Sequence, residues 1–384
     1  MIRRRIFGEE HAIFRESVRR WANAELTPNV NKWREAGEVS RDVWRSAGAE
    51  GFLCMYADEK YGGMGLDDFR FDQILIEEIT KREFGFFLPL HNRVVGPYLQ
   101  HMANDAQKAK YMPGVVSGDT VLAIAMTEPG TGSDLAAIRT RAEDRGDHWL
   151  LNGSKTYISN GHLASLCIVA ARTDKDNPRS IGLFLVEDQF EGYRKGRKLK
   201  KLGLASQDTS ELFFENVKVP KENVLGNPTG GFKMMMQNLA EERLVGATQY
   251  VARAERAFEI TMDYILERKA FGRPIGTFQN SRFKMAELRT QIDVAQAFVD
   301  HCVQERLEGS LTAETAAEAK LFCSEVEGRV VDECLQLHGG AGFMEEYEIS
   351  RLYADARVSR IYAGTSEIMK EIIGRSIGLD ERKL

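Results

Sequence analysis

The chain has 384 residues, enough for about two to three domains with sizeable cores. Its 52 lysine and arginine residues and 57 aspartate and glutamate residues give a formal net charge of −5, which argues against a nucleic-acid-binding surface. Hydrophobic residues make up 43% of the chain, yet no apolar run reaches the roughly 18 residues of a membrane span. We therefore expect a soluble globular protein with no integral membrane segment.

The cysteines and the N-terminus indicate a cytoplasmic protein. Five cysteines are scattered without a CxxC pair, so neither a disulfide framework nor a metal site is expected. The basic residues 3–5 are followed at once by Gly8, Glu9 and Glu10, where a signal peptide needs an apolar stretch of about 7 to 15 residues. We expect a prokaryotic-type cytoplasmic protein with no targeting segment.

The hydrophobic pattern changes twice along the chain. In residues 1–118, apolar residues recur at helical spacing, which predicts a helical N-terminal domain. Residues 119–231 carry short apolar runs separated by Gly, Pro, Asn and Asp, which is typical of a β-sheet middle domain. Long amphipathic segments return in residues 232–384 and predict a C-terminal four-helix bundle, giving an α+β fold overall. The predicted bundle helices are 233–268, 280–308, 312–337 and 346–372.

Residues 125–134 leave an apolar strand and enter a loop rich in glycine and small hydroxyl residues. In such a loop, backbone N–H groups and hydroxyls can approach a planar or anionic ligand closely. An elaborate turn has the same composition, so the loop alone leaves a binding and a purely structural interpretation open.

Residues 151–161 contain the pair Asn152 and Gly153, which predicts a hairpin turn. In the strand that follows, Tyr157 and Ser159 alternate onto one face. An aromatic ring beside a hydroxyl can stack on and hydrogen-bond a flat ligand, although ordinary cross-strand packing explains the same pair.

Two further glycine-containing segments lie at predicted helix ends. Residues 336–343 place consecutive glycines after a helix, as at many helix C-termini, and lack the strand that must precede a dinucleotide fingerprint. His338 alone is more often structural than catalytic. At residues 361–368, Thr365 or Ser366 can cap the following helix, and its free N–H groups can bind an anion. Capping alone would also explain this segment.

Together, in this order and spacing, the segments resemble the acyl-CoA dehydrogenase family over essentially the whole chain. The family's Met-Thr-Glu-x-x-x-Gly-Ser-Asp loop is matched at residues 126–134, and its Gln-x-x-Gly-Gly-x-Gly-aromatic segment at residues 336–343. Its Arg-Lys-x-Phe-Gly…Gln element is matched at residues 268–279. Segments near residues 38 and 370 are most similar to the long-chain acyl-CoA dehydrogenases. The resemblance implies a homotetramer of helix–sheet–helix subunits that binds FAD.

The resemblance also implies which residues hold the cofactor. The isoalloxazine ring is expected to lie against residues 124–133 and 157–159, with the Ser159 hydroxyl near flavin N5. The pyrophosphate and adenine are expected to contact residues 268–279, 336–340 and 365–367. Because some contacts would cross a subunit boundary, assembly and cofactor binding should be coupled. The expected cofactor-binding residues are Ile124, Ala125, Met126, Thr127, Gly132, Ser133, Tyr157, Ile158, Ser159, Arg268, Phe271, Gln279, Gln336, Leu337, His338, Gly339, Gly340, Thr365, Ser366 and Glu367.

The implied reaction removes the α-proton of an acyl-CoA thioester as the β-hydride passes to the flavin, giving a trans-2-enoyl-CoA. Because an α C–H is a very weak acid, the site must stabilise the enolate-like charge, exclude water and raise the pKa of the base. Many relatives place the catalytic Glu in Ile-Tyr-Glu-Gly-Thr, where this chain has Ala363. Long-chain and isovaleryl enzymes carry it before an Arg-Leu pair on the first C-terminal helix, and Glu242 occupies that position.

Glu242 is therefore the expected base, although Glu241 and Glu242 could also belong to a solvated helix face. Glu241 lies about 100° further around the helix and should point elsewhere. The expected substrate-binding residues are Ser133, Arg243, Ala363 and Gly364, with Ala363 acting through its backbone N–H. Residues 86–99 are expected to set the depth of the acyl pocket.

The resemblance favours a long-chain acyl-CoA as substrate and electron-transfer flavoprotein as electron acceptor. A branched substrate, isovaleryl-like or terpenoid, is the alternative. On the same fold, an acyl-CoA oxidase or a flavin monooxygenase would use oxygen. A non-enzymatic FAD- or acyl-CoA-binding homologue would need no base.

Overall fold

The N-terminal part of the chain is a block of helices. The structure, a computed structural model, describes residues 2–82 and 85–380. One helix begins at a capping box formed by Asn104 and Gln107 and ends at Gly118, which is left-handed. A Cβ at Gly118 would lie 2.2 Å from the Trp44 carbonyl oxygen, so this close approach requires glycine. The helices are α1 (Glu9–Glu25), α2 (Val30–Ala36), α3 (Arg41–Ala49), α4 (Phe69–Thr80), α5 (Gly96–Met102) and α6 (Asp105–Ser117), with a π-helical turn at Leu90–Val95 before α5.

The middle part of the chain is a mostly antiparallel sheet. Its strands are β1 (Leu122–Ala125), β2 (Arg141–Asp144), β3 (His148–Ser159), β4 (Leu166–Arg172), β5 (Ile181–Glu187), β6 (Tyr193–Lys198), β7 (Thr209–Pro220) and β8 (Val224–Leu225). The described strands are ordered β6-β7-β3-β2-β4-β5-β8, and β1 pairs in parallel with β4. Along β4, Ile168 and Ala170 pack towards the N-terminal helices, whereas Cys167 and Val169 pack on the opposite face of the sheet. The sheet is thus buried against the helical block.

The predicted hairpin turn at Asn152 and Gly153 is wrong. Both residues lie inside β3, which pairs with β7 on each side of a register shift between Leu151 and Gly153. Gly153 has φ 149°, and a Cβ there would lie 2.5 Å from the Thr140 hydroxyl oxygen. The Asn-Gly pair therefore marks a bulge in a continuous strand, which needs the same backbone freedom as a tight turn.

The C-terminal part of the chain is a helical bundle. It comprises α7 (Gly231–Glu267), α8 (Gln279–Glu308), α9 (Ala313–His338), α10 (Glu348–Ala356) and α11 (Ser366–Ser376), with a short hairpin of β9 (Lys269–Ala270) and β10 (Arg273–Pro274) after α7. Helices α7 and α9 run parallel, because Arg243 bonds to Ala313 near the start of α9 and Tyr264 bonds to His338 at its end. This arrangement puts opposite ends of α7 in different parts of the molecule.

The continuous fourth helix predicted at 346–372 is interrupted in the structure. Helix α10 ends at Ala356, a 3₁₀ turn follows at Arg357–Arg360, and α11 begins at Ser366. Ala363 and Gly364 in the intervening loop are left-handed, with φ 51° and 87°. The helical spacing of apolar residues continues across the break, so the hydrophobic pattern does not indicate where the helix is interrupted. The order of helical block, sheet and helical bundle is confirmed.

Candidate active site

A cavity of about 180 Å³ lies where the helical block, the sheet and the bundle meet. The sheet contributes one wall, helix α7 another, and the loop between α10 and α11 closes a third side. Residues from all parts of the fold line it: Phe87, Leu90, Val94, Ile124, Met126, Thr127, Tyr157, Ile158, Ser159, Glu242, Val245, Gly246, Gln249, Tyr250, Tyr362 and Ala363.

Glu242 is the acidic residue in the described lining of this cavity. Helix α7 places the Glu242 side chain among apolar and aromatic groups, and only part of that side chain is exposed to solvent. Burial disfavours the charged carboxylate and raises the pKa of Glu242 to about 7, against the opposing effect of the positive charge on Arg243. A carboxyl group with such a pKa is suited to accept a proton near neutral pH.

The wall that α7 presents has helical periodicity starting at Glu242. Val245, Gly246, Gln249 and Tyr250 follow it at spacings of three, four, seven and eight residues and line the same cavity. These residues were missed in the sequence interpretation, although projecting a helical face from Glu242 would have found them. A Cβ at Gly246 would lie 2.8 Å from the Tyr250 hydroxyl oxygen, so glycine lets Tyr250 fold back over this wall.

The sheet wall is formed by the ends of β1 and β3. Ile124, Met126 and Thr127 come from β1 and the residues after it, and Tyr157, Ile158 and Ser159 end β3. Tyr157 is left-handed, with φ 58°, and 69% of its surface is exposed. Apolar side chains, an exposed aromatic ring and the hydroxyls of Thr127 and Ser159 thus lie together. This composition fits a flat heterocycle that needs both stacking and hydrogen bonds.

A buried ion pair behind this wall holds the loop after β1. The Lys155 ammonium donates to the Met126 carbonyl oxygen at 3.0 Å and to the Glu128 carboxylate at 2.9 Å. Glu128 also accepts from the backbone N–H groups of Arg139 and Thr140 at 2.7 and 2.8 Å. The acidic residue of the Met-Thr-Glu motif is therefore structural: it ties both ends of the loop to β3.

The remaining residues of that loop lie away from the cavity lining. Gly132 and Ser133 are exposed and Ala125 is buried, and none of the three lines the cavity. The Thr131 hydroxyl forms a hydrogen bond within the loop, donating to the Ala137 carbonyl oxygen at 3.1 Å. Arg243 also faces away from the cavity, since it is buried beside α9 and its guanidinium donates to the Ala313 carbonyl oxygen at 3.1 Å.

The loop between α10 and α11 brings Ala363 to the cavity. Thr365 caps α11 by accepting from the Ile368 N–H at 3.3 Å, as predicted for Thr365 or Ser366. The Ser366 hydroxyl donates to Glu325 at 3.1 Å instead. Gly364 and Glu367 belong to the same short segment, so this part of the expected site lies beside the cavity.

The other expected cofactor-binding residues lie near the far end of α7. The Tyr264 hydroxyl donates to the His338 carbonyl oxygen at 3.2 Å, and the two rings stack at 4.3 Å. Tyr264 is about 33 Å along the helix axis from Glu242, at about 1.5 Å per residue. Near this end lie Arg268, Phe271, Gln279, Gln336, Leu337, His338, Gly339 and Gly340. His338 has an intrachain role, since its ring bonds to the Cys334 carbonyl oxygen at 2.9 Å.

Family models match most of the chain. The model described as "Acyl-CoA dehydrogenase, N-terminal domain" matches residues 8–119, the middle-domain model residues 123–217 and the C-terminal-domain model residues 229–378. A curated relative, the mitochondrial long-chain specific acyl-CoA dehydrogenase of Mus musculus, is 46% identical over 380 residues, covering 98% of this chain and 88% of that protein.

Solved structures share the complete fold. An acyl-CoA dehydrogenase from Geobacillus kaustophilus has a TM-score of 0.96 at 43% identity and covers 98% of this chain and 100% of its own. A glutaryl-CoA dehydrogenase from Mycobacterium smegmatis, in complex with FADH2, has a TM-score of 0.91 at 26% identity, covering 97% and 96%.

A helical block, a sheet and a bundle that meet at a cavity lined by a half-buried carboxyl group have the architecture of an oxidoreductase that acts on acyl-CoA. The chain belongs to the acyl-CoA dehydrogenase family. Within the described residues, none of the helices is both long enough and apolar enough to span a membrane.

Proposed function

We propose that the protein is an FAD-dependent acyl-CoA dehydrogenase in which Glu242 removes the α-proton of the thioester. The observation that carries this proposal is the position of Glu242: its carboxyl group lines the cavity and has a pKa of about 7. Ala363, where many relatives have their glutamate, also lines the cavity. The carboxylate is thus supplied from α7, opposite the loop that lacks one.

FAD is the cofactor that the sheet wall fits. Tyr157, Ile158 and Ser159, with Ile124, Met126 and Thr127, would hold the flavin ring. When bound, FAD supplies the acceptor for the hydride from the β-carbon. The Lys155–Glu128 ion pair fixes the backbone of this wall before any ligand binds, because the Lys155 ammonium also holds the Met126 carbonyl.

Proton removal depends on the state and surroundings of Glu242. With a pKa of about 7, a large fraction of Glu242 is ionised at neutral pH, and the ionised form is a stronger base than an exposed carboxylate. The acyl tail would cover the cavity and exclude water, which strengthens the electrostatic interactions inside. The proton moves from the substrate α-carbon to a Glu242 carboxylate oxygen.

The charge left on the thioester carbonyl needs a hydrogen-bond donor. Among the described residues, none accepts a hydrogen bond from the Ala363 N–H, whereas the Tyr362 N–H donates to the Val358 carbonyl oxygen at 3.1 Å. An unpaired amide at the cavity lining can donate to the thioester oxygen as negative charge develops there. Ala363 would thus donate a hydrogen bond from its backbone N–H, although it lacks the carboxylate that many relatives have at this position.

We propose a long-chain acyl-CoA as the substrate. Phe87, Leu90 and Val94 give the cavity an apolar side suited to an acyl tail, and the Mus musculus relative is a long-chain enzyme by name. Electron-transfer flavoprotein is the proposed acceptor, as the family resemblance implies. The residues near the far end of α7 would hold the cofactor of another subunit in a homotetramer, because the length of α7 separates them from their own Glu242.

Anaerobic titration of the purified flavoprotein with acyl-CoA thioesters tests the proposal. Saturated straight chains of increasing length are compared with isovaleryl-CoA, and loss of the visible flavin absorption reports reduction. We expect reduction that is strongest with long straight chains. Strongest reduction by isovaleryl-CoA would favour the branched-chain alternative. No reduction by any thioester would contradict dehydrogenation and favour a binding homologue.

Rapid reoxidation of the reduced protein by air in a separate experiment would favour an acyl-CoA oxidase over the use of electron-transfer flavoprotein. The proposal predicts slow reaction with air and fast reaction with electron-transfer flavoprotein.

A further inference from the structure

Lys320 is a buried lysine directly behind the loop that carries Ala363. It lies on α9, and its ammonium donates to the Gly364 carbonyl oxygen at 2.7 Å. Burial lowers the pKa of Lys320 to about 8, while Glu325, Glu327 and Glu367 favour its charged form and Arg243 opposes it. The side chain is therefore mostly charged at neutral pH, and its bond to Gly364 is charge-assisted.

The loop that Lys320 holds has a strained backbone. Ala363 and Gly364 are consecutive left-handed residues, and for alanine this conformation is strained because its Cβ comes too close to the following carbonyl oxygen. Gly364 has φ 87°, a backbone conformation that other residues adopt only with strain, so this position favours glycine. Such a conformation persists only where the surrounding structure holds it. The Thr365 cap holds one side of the loop, and Lys320 holds the Gly364 carbonyl.

The strain has a consequence for the cavity. The backbone bonds of the 3₁₀ turn end with Tyr362 N, and those of α11 begin with Ile368 N and Met369 N bonding to Thr365. Between them, the Ala363 N–H has no hydrogen-bond acceptor among the described residues, and Ala363 lines the cavity with Glu242. The left-handed conformation of these two residues thus leaves the Ala363 amide outside the helical hydrogen bonding. Under the proposed function, this is the amide that donates to the thioester carbonyl.

We infer that Lys320 is a positioning residue: by holding the Gly364 carbonyl, it keeps the Ala363 N–H available to the thioester carbonyl of the substrate. This inference rests on the proposed function, since it assumes that a thioester carbonyl binds at Ala363. Lys320 lies outside the described cavity lining and acts through the loop. It should therefore affect ligands that possess the carbonyl and spare ligands that lack it.

A pair of ligands that differ at this carbonyl tests the inference. Binding of a 2-enoyl-CoA thioester and of an S-alkyl-CoA thioether with the same carbon number is measured by calorimetry on the flavin-loaded protein. Neither ligand can be dehydrogenated at the α,β bond in this experiment, so binding is read without turnover. In Lys320→Met, we expect the affinity for the enoyl-CoA to fall about tenfold and that for the thioether to change less than about twofold.

The Lys320→Arg variant should restore most of the preference for the thioester, because it keeps a charged donor. Lys284 provides the matched control: it pairs with Glu333 between α8 and α9, and Lys284→Met should leave both affinities unchanged. Should Lys320→Met fail to fold, Lys320→Gln keeps a neutral donor on a shorter side chain and should lose part of the preference.

The outcomes separate the inference from the proposed function. If the wild-type protein binds both ligands equally, carbonyl recognition at Ala363 is wrong and the proposed function is contradicted. If the wild type prefers the thioester and the folded Lys320 variants keep that preference in full, the role of Lys320 alone is overturned. An equal fall in affinity for both ligands would likewise contradict the inference and mean that Lys320 has only a structural role.

Discussion

Glu241 and Glu242 are consecutive residues of α7, but their carboxylates lie in different surroundings. Glu241 accepts from the Arg306 guanidinium at 2.6 Å and from Arg93 at 3.3 Å. Glu242 instead lines the cavity and accepts no hydrogen bond from the other described residues. The turn of about 100° per residue along a helix separates a paired carboxylate from one that is free to take a proton.

The state of Glu242 predicts how activity depends on pH. Because the base must be ionised, kcat/KM should rise with pH through the Glu242 pKa of about 7 and level off above it. The measurement is a pH profile of kcat/KM with the best acyl-CoA from the titration series. A rate that is flat across this range, or that falls as the pH rises through it, would contradict the assignment.

The same pKa predicts how stability depends on pH. Because the folded-state pKa of Glu242 lies above its ordinary value of 4.5, its contribution to stability is complete below pH 4.5 and is lost as the pH rises to about 7. Glu242→Gln removes this loss, which amounts to at most about 3 kcal/mol. The variant should melt at a higher temperature than the wild type at pH 8, and the difference should shrink towards pH 5.

Thermal melts of the two proteins, recorded across this pH range in one buffer series, provide the check. A difference that grows towards acid pH would mean that the pKa of Glu242 is lowered on folding.

The hairpin after α7 predicts a link between assembly and cofactor retention. Phe271 at its tip is 94% exposed, next to Phe278 at a ring distance of 6.2 Å. An aromatic ring so exposed adds little to the stability of its own subunit, but it can be buried against another one. Phe271→Ala should therefore leave the helical content unchanged while lowering both the tetramer fraction and the FAD content.

Sedimentation gives the mass of the assembly, and the ratio of visible to ultraviolet absorbance gives the FAD content. Leu202→Ala, at a position that is 76% exposed in the middle domain, is the matched control and should change neither. Full FAD retention in a Phe271→Ala tetramer would contradict the proposed intersubunit role.

The order of the blocks could be predicted because each one has a strong local pattern. Helical spacing and short apolar runs are properties of neighbouring residues, and they survive in the folded chain. The predictions that were wrong concern the backbone within an element. Gly153 and the pair Ala363–Gly364 need unusual φ angles, and the sequence indicates such a need without distinguishing a turn, a bulge or a helix break.

The contacts that support the site cannot be predicted from local sequence patterns, because they join residues that are far apart in the chain. Lys155 meets Glu128 across 27 positions, and Lys320 meets Gly364 across 44. Both lysines are buried, which no local pattern indicates, since lysine is ordinarily exposed. Glu242 is predictable from the sequence, because the family resemblance implies a second position for the base and Ala363 leaves the first one without a carboxylate.

The most direct test of Glu242 as the base is turnover by Glu242→Gln compared with Glu241→Gln, both loaded with FAD. Glu242→Gln should lower kcat by about 10²- to 10⁴-fold while keeping the flavin spectrum, because the amide cannot accept the α-proton. Glu241→Gln weakens the pairs with Arg93 and Arg306, so it should lower the melting temperature and keep most of the turnover. Near-normal turnover by Glu242→Gln would contradict the assignment of Glu242 as the base.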